Sequence, residues 1–178
     1  MTQKVSYTKR ECTDEKKIAA LLSETRVGIL GLADDGMPYA VPVNFVWYEG
    51  AIYFHGMGSG RKVRLLARSP SVCFTVYREN GTVSDPVPCQ ADTSYLSVMI
   101  FGKAEQVSDF AAAAEALQFF LGKYAPGYYR QKITGGLIDK YRSAMDGKRV
   151  AVYRIVPDEM TAKENASEPD ASFHHSAS

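Results

Sequence analysis

Little in this 178-residue chain could staple a fold from outside its core. Its three cysteines, Cys12, Cys73 and Cys89, are odd in number, widely spaced and without a CxxC pair. That excludes a disulfide framework or a zinc ribbon and fits free thiols in a reducing, cytoplasmic setting. Histidine is scarce too. His55, His174 and His175 are too few to ligate a transition metal, so no metal site is expected, and a Ser-His-Asp triad would have only His55 to draw on in the folded body. No apolar run approaches the roughly 18 residues of a membrane span. The polar start MTQKVSYTKRECTDEKK lacks the apolar stretch of a secretory signal. Charge of either sign is also not in excess: 21 Lys and Arg face 20 Asp and Glu, a net +1. A globally basic surface for nucleic acid is therefore excluded, and any anion must be met by a local patch. What remains is ordinary globular material, 46% hydrophobic and 23% charged, enough for one self-supporting domain.

Residues 1–12 read as an N-terminal arm. Thr13 is a plausible N-cap for a helix over about 14–24, with Ile18, Leu21 and Leu22 on one face. From Arg26 the rhythm becomes strand-like. Val27 to Leu32, then the turn Asp34-Asp35-Gly36, then PYAVPVNFVWY, then Glu49-Gly50 and AIYFH predict three strands joined by tight hairpins. Pro42 interrupts the second strand and marks an edge, a bulge or a place where a ligand takes the backbone's partners. GMGSG at 56–60 opens onto a short basic helix, RKVRLLAR. Further strands are predicted at Val72–Tyr77, at Tyr95–Val107 with Gly102 as a bend, and at Arg149–Val156. A polar loop should occupy 78–92, an apolar helix capped by Asp109 should follow the fifth strand, and 125–147 should be loop and short helix. A disordered tail is expected over 162–178, leaving 13–161 as the folded domain. About six antiparallel strands with helices outside indicate a small barrel or half-closed sheet.

Three stretches could carry chemistry. Ser59, Gly60, Arg61 and Lys62 combine a pliable backbone, a hydroxyl and two cations at a helix start, the donor set a phosphate monoester needs. The P-loop pattern is absent, as is a GxGxxG within a βαβ unit, and the same spacing also fits a mobile loop before a solvated basic helix. Val41, Pro42, Val43 and Asn44, beside Phe54 and His55 on the next strand, offer unpaired backbone next to aromatic faces. A flat heteroaromatic ring could lie there, although a core strand with satisfied Asn and His fits as well. Tyr95 and Ser97 share one face of their strand. The cations Arg61, Lys62, Arg64 and Arg68 are too few to track a nucleic-acid backbone, so no nucleic-acid partner is expected.

The ordered runs DGMPYAVPVNF, IYFHGMGSGRK and SYLSVMIFGKAE resemble the pyridoxamine 5′-phosphate oxidase-like flavoproteins, and among them the nitroimidazole-resistance branch. The resemblance spans roughly Arg10 to Lys163. It implies a mainly β fold, a six-stranded antiparallel split β-barrel with outer helices, and a homodimer holding flavin mononucleotide (FMN) at its interface. It implies the FMN phosphate on Arg61 and Lys62 with Ser59 and Gly60, and the isoalloxazine bordered by Val41 to Asn44, Phe54 and His55. Ser97 stands where true oxidases carry a glutamine. Their C-terminal Trp-and-Arg signature is also missing, Trp47 being misplaced for it, so vitamin B6 oxidation is not implied. The expected activity is an FMN-dependent oxidoreductase reducing small electron-poor substrates, such as nitroaromatics, with NAD(P)H, and His55 is the candidate proton donor. The alternative is a non-catalytic flavin- or haem-binding module of the same fold.

Overall fold

The computed structural model describes residues 5–166. The alternation read from the sequence becomes six antiparallel strands: β1 (Val27–Asp34), β2 (Met37–Tyr48), β3 (Ala51–Gly56), β4 (Ser71–Val83), β5 (Asp92–Gln106) and β6 (Ala151–Asn165). They close in the order β1-β2-β3-β6-β5-β4, a mainly β barrel of the split type. Alternate residues point inward and meet there. Leu30, Phe45, Ile52, Phe54, Phe74, Leu96, Ile100 and Ile155 are fully buried in one core. Each such side chain contributes about 1.5–3 kcal/mol by leaving water.

Local chemistry sets the corners. Asp35 and Gly36, with φ of 47° and 85°, and Glu49 and Gly50, with φ of 47° and 71°, put two successive residues in the left-handed region. That is the twist a two-residue hairpin requires. β1 is paired to β2 along the whole length of β1, Met37 to Asn44 facing Asp34 to Val27. β2 pairs with β3 only from Phe45 to Tyr48. Its first half is thus an open edge on the β3 side, and that is where Pro42, which has no N–H to donate, is accommodated.

Among the described residues four α-helices lie outside: α1 (Glu15–Glu24), α2 (Arg61–Arg68), α3 (Phe110–Tyr124) and α4 (Gly135–Lys140). Asp14, not Thr13, caps α1, its carboxylate accepting from the Lys16 and Lys17 amides. Asp109 caps α3 as expected. α3 covers β2 through Ala113, Ala114, Ala116, Leu117 and Phe120, which pack with Val46 and Val152 in a second core.

Three expectations are corrected. The polar loop is confined to 84–91, because β4 runs on to Val83 and β5 begins at Asp92. The irregularity expected at Gly102 falls opposite it, on β6: Phe101 faces Glu159 and Gly102 faces Pro157, with Asp158 extra. The expected tail does not start at 162. β6 reaches Asn165, Ala162 lies buried opposite Val98, and Glu11 and Cys12 of the arm bond to Lys163 and Ala162. The rest of the expected tail, with His174 and His175, falls outside the described residues.

Candidate functional site

The open edge of β2 forms one wall of a cleft of about 450 Å3. Pro42, Val43 and Asn44 line this wall, His55 of β3 and Lys62 of α2 the floor, and Phe120, Leu121 and Tyr124 of α3 the opposite side. β2 and β3 diverge on the N-terminal side of Phe45, and α3 bridges the gap. A strand edge, a cation and an aromatic wall converge as a consequence of that divergence.

Lys62 sits over the Phe54 ring, its Nζ 5.3 Å from the centroid. Burial lowers the affinity of its ammonium for its proton. Among the described residues no carboxylate lies within ion-pair distance of it. His55 is exposed to the cleft, its ring edge-on to Phe120 at 4.7 Å. Burial and the neighbouring Lys62 hold its pKa below the ordinary histidine value, so the imidazole is neutral at neutral pH. A neutral imidazole donates one hydrogen bond and accepts another but has no spare proton to give.

α2 differs from its fellows at its start. Asp14, Asp109 and Thr134 cap α1, α3 and α4, whereas α2 begins at Gly60, whose φ of 113° suits only glycine, with no side-chain cap. Its first amides are left for another acceptor. Gly56 leaves room for the lysine: a Cβ there would stand 3.1 Å from Lys62 Nζ, the movable end of a flexible side chain. Gly58 is explained by packing, since a Cβ would meet the Arg149 carbonyl oxygen at 2.7 Å. An ammonium, free helix amides and a bare glycine corner fit a phosphate group.

The structure separates the residues singled out from the sequence. Pro42, Val43, Asn44, His55 and Lys62 come together in the cleft. Gly60 stands at its α2 end. Phe54 lies beneath, fully buried and stacked on Tyr153 at 5.1 Å. Val41 packs against the barrel core. The Ser59 hydroxyl donates to Asp146 at 2.8 Å. Arg61 holds Asp34 through Nε at 3.2 Å and Nη2 at 2.9 Å and lies over Tyr39 at 4.6 Å, leaving three of its five N–H groups for other acceptors. Ser97 is not in this cleft: it sits on β5 between Tyr77 and Lys163.

Tyr124 is the site residue the sequence reading missed. Its hydroxyl accepts from the Phe45 amide at 2.9 Å and lies against the Phe45 and Arg26 carbonyls, fixing α3 where β2 and β3 part. The available signal was a tyrosine four residues after Phe120 on an otherwise apolar stripe. Beside it Lys123 donates to the Thr25 and Phe45 carbonyls at 2.6 and 3.2 Å, and burial pushes its pKa down to about 8.

The family profile described as pyridoxamine 5′-phosphate oxidase matches residues 14–164. The chain belongs to that family. No curated protein matches it significantly. Among solved structures, a flavocytochrome from Azotobacter vinelandii is 26% identical, with TM-score 0.75 over 93% of this chain and 74% of that one. A candidate 5-nitroimidazole antibiotic resistance protein from Bacteroides thetaiotaomicron is 25% identical, with TM-score 0.65 over 86% and 85% of the two chains. An FAD- and haem-binding protein from Mycobacterium smegmatis, 20% identical with TM-score 0.73 over 90% and 76%, shares the fold. Flavin-binding proteins thus recur among relatives of this architecture.

Proposed function

We propose that the chain is an FMN-binding oxidoreductase that reduces small electron-poor substrates, nitroaromatic or nitroimidazole-like, with NAD(P)H. One observation carries the reading: an unpaired strand edge and a free ammonium share a single cleft, and that ammonium belongs to the first turn of a helix with no side-chain cap. Lys62 and the first α2 amides would hold the phosphate, with Gly60, Arg61 and Ser59 around it. Pro42 to Asn44 would present backbone groups to the ring edge, and Phe54 and Val41 would support that wall from behind. The bound flavin supplies the hydride and electron transfer between donor and substrate. The protein's part is to hold the ring, exclude water with Phe120 and Leu121, and present a neutral His55 beside it. The proton-donor role expected for His55 is therefore not assigned; a solvent proton must reach the substrate.

A homodimer suits the outer surface. Ile29, Thr75 and Met99 form one outward row across β1, β4 and β5, and Tyr77 and Ser97 begin the next. Ile29, Tyr77 and Met99 are exposed. Apolar residues in adjacent rows are what a second copy would cover. Ser97, outside the cleft of its own chain, would then contact the flavin bound to the other copy.

Purified protein should be yellow, or become so with added FMN and stay so through gel filtration. A colourless chain that retains no flavin would end this reading. A Soret band instead would favour the haem-binding module, with His55 as axial ligand. Turnover of NAD(P)H with a nitroaromatic acceptor tests the catalytic half.

A further inference from the structure

Neither Asp nor Glu lines the cleft, while Lys62 lines its floor and a second cation, Arg26, lies against its aromatic side. We propose that Arg26 selects the substrate: a flat, electron-poor ring that carries a carboxylate, which the guanidinium takes. This deepens the reductase reading above and rests on it. Two observations place Arg26. Its guanidinium carbon is 4.6 Å from the centroid of the Tyr124 ring, and Tyr124 lines the cleft. Its chain neighbour Val27 faces Asn44, another lining residue, across the β1–β2 ladder. The backbone fixes the residue there, since the Arg26 carbonyl lies against the Tyr124 hydroxyl. Side chain and main chain of one residue thus meet the same tyrosine.

Arg26 is also uncommitted. Arg10, Arg61, Arg68, Arg78, Arg149 and Arg154 each hold a carboxylate. Arg142 holds the Asp139 and Tyr141 carbonyls. Among the described residues Arg64 and Arg130 have no ion pair either, but of these three only Arg26 lies over a ring that lines the cleft. Lys123, next to Tyr124, spends its ammonium on the Thr25 and Phe45 carbonyls. Burial, and then the charge of Arg26, push the Lys123 pKa down to about 8, so the two cations feel each other. Neither has an ion pair among the described residues, and together they leave a positive potential that an anion relieves. A guanidinium over a ring keeps its N–H groups at its edge, and a carboxylate takes two of them at once. The flat face of the substrate ring is then left for the flavin. A phosphate on Lys62 does not compete for this group, because Arg26 stands on the α3 side of β2 and Lys62 on the floor.

Calorimetric titration of the FMN-loaded chain with para-nitrobenzoate and with para-nitrobenzamide, its neutral counterpart of similar shape, tests this. Arg26 is exposed, so the pair is that of a surface ion pair with good geometry. The carboxylate should therefore bind about fivefold more tightly than the amide, and the preference should shrink as salt is added. Arg26→Gln should bring the two compounds to equal affinity, and it keeps the main-chain carbonyl that Tyr124 meets. Arg26→Lys should restore part of the preference, since an ammonium is a point charge where the guanidinium is a fork. Equal affinities in the parent, a preference that survives in Arg26→Gln, or binding of neither compound to the FMN-loaded chain would overturn the proposal and leave flavin binding intact. A chain that retains no FMN would instead overturn the reading beneath it.

Discussion

The two long sides of the barrel are built on opposite principles. On one side β5 and β6 run together from Tyr95 against Asn165 to Gln106 against Tyr153, almost every backbone group paired. On the other, β2 and β3 share a ladder only from Phe45 to Tyr48 and then part. The paired wall holds Leu96, Val98, Ile100, Ile155 and Ala162, all buried, and lends no residue to the cleft of its own chain. The open wall holds Pro42, Asn44, His55 and Lys62. Backbone groups that a neighbouring strand would satisfy must find partners elsewhere, and α3 and a ligand are what the fold offers. Stability lies where the ladder is complete, and chemistry where it stops.

The largest expected effect is on the open wall. Lys62→Glu would set a carboxylate, half-buried over Phe54, against the phosphate. Breaking a buried charge pair costs about 3–5 kcal/mol, so flavin affinity should fall by more than a hundredfold. Thermal unfolding of the flavin-free variant should stay near that of the parent. Flavin retained at parental affinity would remove Lys62 from the site.

The paired wall should break differently. A Cβ at Gly102 would lie 2.5 Å from the Val156 carbonyl oxygen. That contact is with backbone at the Asp158 bulge, so a flexible side chain cannot relieve it. Gly102→Val should destabilise by at least the 1–3 kcal/mol usual for overpacking, about 4 °C or more in Tm. Surviving folded protein should bind flavin normally. A Gly102 variant that loses flavin at full stability would contradict the division of labour between the two walls.

Tyr124→Phe tests the bolt that fastens α3 to the open wall. The ring remains, but the hydroxyl that meets the Phe45 amide and the Arg26 and Phe45 carbonyls is gone. An orphaned, part-buried amide costs about 1–3 kcal/mol. Denaturant unfolding should show that loss, and flavin should bind a few-fold more weakly as α3 loosens over the cleft. Unchanged stability would mean that water replaces the hydroxyl freely.

The division also explains what the sequence could and could not disclose. Strand number, both tight hairpins, the Asp109 cap and the clustering of Pro42 to Asn44, His55 and Lys62 follow from residues close in sequence: alternation, left-handed turn residues, a glycine run before cations. The end of β6 was hidden because PDEMTAKEN has little alternation of its own. Only Ala162 in it is buried, and the backbone pairing to β5 holds it. Tyr124 with Phe45, Ser59 with Asp146 and Arg61 with Asp34 were hidden for the same reason. Each joins segments that only the closed barrel brings together, and no local pattern marks a carboxylate for a partner 87 or 27 residues away.

The smallest expected effect comes from His55, and its sign is fixed by its surroundings. Burial, and then Lys62, disfavour the imidazolium, so its pKa in the folded chain lies below the ordinary 6.5. As pH falls through 6.5 the unfolded chain takes up this proton and the folded chain does not, so stability declines with falling pH until the folded pKa is passed. His55→Phe should flatten that part of the profile relative to the parent, while Asp and Glu titrations at lower pH continue in both. A flavin phosphate beside Lys62 would offset the ammonium's field and raise the His55 pKa. Saturating FMN should therefore make the decline smaller in the parent, because the folded pKa moves back towards 6.5, and leave the profile's shape unaltered in His55→Phe. Parallel profiles for the two proteins, with and without FMN, would show that His55 is solvated and that the cleft does not bury its floor.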